Sequence, residues 1–156
     1  MELAKRITFQ YSEAWHMLSD AIDACDDAAW RNTGDTSFNI ARLAYHTIET
    51  VDYYFHDDLQ AFKWAERFGV DWEAEDPSML PGQEGILDYL DQVRDKAANW
   101  IERVGSEGLL EPDTVFHKEG MSHLDRALYV LRHTHHHIGE IFGLLRQQGI
   151  PRPGWR

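Results

Sequence analysis

Apolar residues recur at intervals of three and four along long stretches of this chain, and glycines, prolines or turn-forming polar residues interrupt each stretch. That period commits a segment to an amphipathic helix, which must bury its apolar face against other helices. The first stretch runs from about Ala4 to Ala24, with Ile7, Tyr11, Ala14, Trp15, Leu18 and Ile22 on one stripe. Asp26-Asp27 and Arg31-Asn32-Thr33-Gly34 break it. Thr36 or Ser37 is the expected N-cap of a second helix reaching about Phe68, whose stripe is Ile40, Leu43, Thr47, Val51, Tyr54, Phe55 and Phe62. Gly69 to Gly82 reads as a loop, because Pro77 and Pro81 oppose helix continuation.

A third helix is expected from Gln83 to Val104, carrying Ile86, Leu87, Leu90, Val93, Ala97, Trp100 and Ile101. Gly105 and Gly108 open a connection extending to Met121. Ser122 with Asp125 three residues on is a capping signal for a fourth helix, which Gly149, Pro151 and Pro153 end after about Gln148. No segment alternates convincingly with the period of a strand. The expectation is one all-α domain over residues 1–156, a helical bundle. At 156 residues, such a domain can bury a core without covalent staples.

The acids outnumber the bases 27 to 15, giving a net charge of −12 with histidines neutral. Nucleic-acid binding rests on a basic footprint, which this chain lacks. An anionic membrane surface is excluded on the same ground, and no apolar run is long enough to span a bilayer. The N-terminus, Met1-Glu2-Leu3-Ala4-Lys5-Arg6, carries no secretory pattern, so a cytoplasmic protein is expected. Cys25 is the single cysteine, which rules out an internal disulfide. Its neighbours Asp26 and Asp27 disfavour a thiolate, and it reads as structural.

The fourth helix contains His133-Thr134-His135-His136-His137-Ile138-Gly139-Glu140. Residues four apart on a helix lie about 40° apart around its axis, so His133 and His137 project from nearly the same side. Imidazole is the commonest neutral metal ligand, and one helical turn bearing two of them can grip one ion. His46 on the second helix would complete a three-histidine set with an open position. That composition suits a catalytic centre rather than a closed structural one. His133, His137 and His46 all fall toward the margins of their apolar stripes, where two helices would meet at a groove.

Glu140 lies within about 20° of His133 and one turn beyond His137. It is a candidate acceptor for an imidazole N–H, a fourth ligand, or the catalytic proton acceptor. Glu49 and Tyr53, flanking His46 on its polar side, are candidates for similar roles. His135 points away from His137 and reads as structural or solvated, whereas His136 lies near the His133 side. A lone histidine on an amphipathic helix is more commonly a boundary residue, and three consecutive histidines make an accidental pair easier. The six tryptophans, among them Trp72, read as core and loop packing. A single Glu-x-x-His, Glu13 to His16, does not make a di-iron carboxylate bundle, which needs two plus further carboxylates.

With Ala41-Arg42-Leu43-Ala44-Tyr45-His46, a connection rich in Pro and Trp, and the string from His133 to Ile141, the chain resembles the DinB-like superfamily, also called the YfiT-like metal-dependent hydrolases. Members commonly carry a His-x-x-His-His-Arg-Gly-Gln-Ile-like string on the last helix. Aligned on Gly139, the resemblance puts ligands on His133 and His137, and a third on His46. It implies a four-helix bundle with one long crossover connection, a divalent ion (nickel or zinc) on three histidines, and a homodimer. It also implies chemistry in which water or a low-molecular-weight thiol attacks a small electrophilic substrate, as in a hydrolase or S-transferase. Ile138 stands where Arg is common and Glu140 where Gln is common, departures that bear on recognition of an anionic substrate and on the metal's surroundings. The competing expectation is a non-catalytic bundle that binds a small molecule, its metal structural or absent.

Overall fold

Each long apolar stripe forms a helix in the computed structural model, which describes residues 2–32, 38–116 and 119–156. The α-helices are α1 (Leu3–Asp23), α2 (Asp27–Arg31), α3 (Ile40–Tyr54), α4 (Gln83–Gly108) and α5 (His123–Gln147), with a 3-10 turn at Pro77–Met79. No strand is found among the described residues, and the expected helical bundle is present. α1 packs chiefly on α4 and α5, and α3 on the same two. The long helices are therefore ordered α1, α4, α3, α5 around a common core.

The predicted stripes of α1 and α4 contribute to that core, and α3 adds Tyr45 and Ile48, which its predicted stripe did not include. Tyr11, Leu18 and Ile22 of α1, Tyr45 and Ile48 of α3, Ile86 and Ile101 of α4, and Ile138, Ile141 and Leu145 of α5 are all buried. Buried polar groups find partners within it: the Tyr11 hydroxyl donates to the Ala127 carbonyl at 2.7 Å, tying α1 to α5. Ser122 and Asp125 form a reciprocal capping box that fixes the start of α5. Cys25 is buried, and its Sγ donates to the Ala21 carbonyl. Burial, with Asp26 adding to it, pushes the thiol up to about 11, so it stays protonated at neutral pH.

Three element boundaries differ from expectation. Asn39 caps α3 by accepting from the Arg42 N–H at 2.7 Å, while Thr36 and Ser37 lie outside the described residues. The second long helix ends at Tyr54, not near Phe68. Local side-chain bonds compete with helix propagation there: Asp58 accepts from the Gln60 N–H, and His56 Nδ1 accepts from the Asp58 N–H. α4 extends to Gly108, but Gly105 adopts φ 69° and ψ 174° inside it, so the predicted break survives as a kink. The five-residue α2 was not expected. Asp26 caps it, and it delivers the fully buried Trp30, whose Nε1 donates to the Pro81 carbonyl at 3.0 Å.

The segment between α3 and α4 lies along α3 as a strap. Glu49 accepts from the Ala65 N–H at 2.6 Å, the Tyr45 hydroxyl donates to the Val70 carbonyl at 3.0 Å, and Arg42 donates to the Ala74 carbonyl. As the strap advances from Ala65 to Ala74 its anchors retreat from Glu49 to Arg42, so the two run antiparallel. That course lays Trp72 over His46. Among the described residues, no helix is long and apolar enough to cross a membrane.

Candidate metal centre

α3 and α5 are neighbours, and their facing edges bring the three predicted histidines together. The Nε2 atoms of His133 and His137 are 3.0 Å apart, and those of His133 and His46 are 3.2 Å apart. Ligand-capable atoms of all three lie within 4.8 Å of one another. Thr47 and Thr134, each one residue from a histidine, are fully buried and bond back to the carbonyls of Leu43 and Val130. They fill the core side of α3 and α5, leaving the half-buried imidazoles at the seam.

These nitrogens cannot satisfy one another. A neutral imidazole nitrogen carries either one proton or one lone pair. His133 Nε2 faces two other Nε2 atoms, so at most one of those contacts is a hydrogen bond. A cation accepting three lone pairs resolves the conflict. Two ligand nitrogens at about 2.05 Å from one ion would be ~3.3 Å apart in a tetrahedral site and ~2.9 Å apart at right angles. The observed 3.0 and 3.2 Å fall between these values. The donor set therefore fits a divalent ion, and the spacing is compatible with either zinc or nickel.

The protonation states agree. Burial, reinforced by the neighbouring His137, lowers His46 to about 4, although Glu140 opposes the shift. Burial and the other histidines lower His133 to about 3. Burial also lowers His137, against the opposing pull of Glu140. All three are neutral near pH 7, the state that ligation requires.

Glu140 stands on the far side of the His137 ring. Its Oε2 lies 2.6 Å from His137 Nδ1, while Nε2 of the same ring faces His133. A protonated Nδ1 donating to this carboxylate leaves Nε2 as the lone-pair nitrogen. His136 approaches the same carboxylate at 3.7 Å, although it is largely exposed. The Nδ1 atoms of His46 and His133 have no hydrogen-bond partner among the described residues.

Other candidates fall elsewhere. Glu49 is buried instead of lying on a polar face, because the strap covers it. Tyr53 packs against Tyr54, Phe62 and Trp64 instead of facing the histidines. The half-buried His135 lies near Trp155. Glu13 and His16 remain near the surface, 3.9 Å apart. The contributor that sequence reasoning missed is Trp72, whose ring centroid lies 4.2 Å from that of His46. No periodicity marks a loop tryptophan as a neighbour of a helix histidine.

Fold and site together define a helical bundle with a three-histidine cluster on two adjacent helices. The chain belongs to the DinB superfamily, whose family pattern matches residues 10–141. Its fold is similar to the crystal structure of a DinB-like protein from Bacillus cereus, with a TM-score of 0.71. That similarity covers 95% of this chain and 94% of the other at 15% sequence identity. No curated protein matches the sequence.

Proposed function

We propose that this protein is a metal-dependent enzyme in which His46, His133 and His137 hold one divalent ion. The observation that carries the proposal is the convergence of three neutral imidazoles through their Nε2 atoms, at separations suited to a shared ion. Such an ion supplies Lewis acidity, lowering the pKa of a water or thiol brought into contact with it. The reaction class proposed is attack of water or a low-molecular-weight thiol on a small electrophile.

The surrounding residues have distinct parts in this reading. Glu140 orients His137 and keeps its Nε2 unprotonated, so it is a positioning residue. Trp72 walls the cluster beside His46, restricting water and offering an aromatic face to a substrate. The exposed His136 lies 3.7 Å from the Glu140 carboxylate and adds a second imidazole beside it.

The test is a turnover screen of protein loaded with zinc or nickel, using activated esters in water and electrophiles paired with thiols. Turnover abolished by chelator and by His133→Ala supports the reading. Metal-loaded protein that turns over none of the pairs would favour a non-catalytic binding bundle instead.

A further inference from the structure

A cavity of about 780 Å³ opens between the C-terminal half of α3, the strap and α4. Its walls include Glu49 and Asp52 from α3, Phe62, Arg67 and Phe68 from the strap, and Tyr89 from α4. None of the three clustered histidines lines it. The volume is that of a small-molecule pocket.

Most charges in the cavity are paired. Lys96 bonds to Asp52 Oδ1, and the Tyr89 hydroxyl donates to Asp52 Oδ2 at 2.7 Å, so both oxygens of that carboxylate are used. Lys63 pairs with Glu66 at 3.3 Å. Two groups of opposite sign remain. Glu49 is only 2% exposed; its Oε1 accepts from the Ala65 N–H, and its Oε2 has no partner among the described residues. Arg67 bonds to the neutral Gln92 amide at 2.8 Å and lies 4.8 Å from the centre of the Tyr89 ring. It has no carboxylate within ion-pairing distance among the described residues.

A buried carboxylate oxygen without a donor is costly, and burial duly raises the Glu49 pKa. The strap adds strain beside it, since Ala65 adopts φ 62°, a left-handed conformation unusual for a residue with a Cβ. An ammonium would satisfy Glu49, a carboxylate would satisfy Arg67, and the rings of Phe62, Phe68 and Tyr89 suit an apolar body. We propose that this cavity binds a zwitterionic small molecule with an apolar or aromatic body, of the chemical class of the aromatic α-amino acids. Its ammonium meets Glu49 and its carboxylate meets Arg67. This site is independent of any ion on the histidines.

The experiment is isothermal titration calorimetry in the presence of EDTA, which separates this site from the metal reading. The probes are L-phenylalanine, 2-phenylethylamine, which keeps only the ammonium, and 3-phenylpropionate, which keeps only the carboxylate. Saturable binding of L-phenylalanine, weakened about tenfold or more by losing either charge, is expected. Glu49→Gln retains the Oε1 acceptor that holds the strap but places a donor where Oε2 stood, and should weaken L-phenylalanine about tenfold or more. Arg67→Gln, at the pocket mouth, should do the same, and it decides the matter if the Glu49 variant fails to fold. No saturable binding up to about 10 mM, equal binding of all three probes, or unchanged affinity in both variants would overturn the proposal.

Discussion

Replacing Glu140 separates positioning from direct ligation. Its carboxylate touches His137 at Nδ1, 2.6 Å away, on the side of the ring opposite the nitrogen that faces His133. Removing such an outer partner typically weakens metal binding about 10- to 100-fold, equivalent to ~1.4–2.7 kcal/mol. The Glu140 side chain is 45% exposed, so solvent partly replaces it and the loss should fall near the lower end. Glu140→Ala is therefore expected to weaken zinc by about tenfold, and Glu140→Gln, which keeps an acceptor but loses the charge, by less. Competition against a chromophoric chelator at neutral pH measures both. Metal affinity unchanged in Glu140→Ala would refute the positioning role. A loss as complete as that in His137→Ala would make Glu140 a ligand instead.

Other consequences can be measured separately. Arg126 and Asp113 form an ion pair at 2.7 Å with side chains only 4% and 0% exposed, so Asp113→Ala leaves a buried guanidinium without its counter-charge, held by the Tyr54 carbonyl and the Trp100 ring. It should cost about 3–5 kcal/mol and lower Tm by roughly 10 °C or more; a loss below about 1 kcal/mol in a denaturant melt would contradict this. In metal-free protein, His46 and His133 are depressed to about 4 and about 3, so the unfolded chain binds more protons as pH falls below about 6.5. Their contribution to stability is full above that pH and declines toward pH 3. Urea melts across this range should show a shallower acid slope in His46→Asn, and an unchanged slope would count against the shift. Trp72 should report metal loading: one equivalent of Cu²⁺ should quench tryptophan fluorescence, and Trp72→Phe should remove the largest share of that quench. Equal quenching in the variant would place the ion elsewhere.

The helices were legible because their information is local. The stripe from Ile7 to Ile22 and the Ser122–Asp125 capping box each mark their own element, and both are present. The loop from Gly69 to Gly82 was legible from its prolines, but residues 55–68 were not, because aromatic residues such as Phe62 continue an apolar pattern past the point where the helix ends. What ends it is a set of turn bonds around His56 and Asp58, together with the anchoring of Ala65 on Glu49. The proximity of His133 and His137 followed from helical spacing alone. Their meeting with His46 depends on which helices are neighbours, a property that no single periodicity carries. Glu140 was placed near the right face, but only side-chain geometry shows that it meets Nδ1 rather than Nε2.

The most direct measurement is metal content by mass spectrometry on untagged protein, beside His46→Ala, His133→Ala and His137→Ala variants checked for helicity by circular dichroism. About one divalent ion per chain is expected in the parent, lost or sharply reduced in each folded variant. Parent protein that takes up no zinc or nickel on soaking, or variants that keep the ion at full stoichiometry, would contradict it.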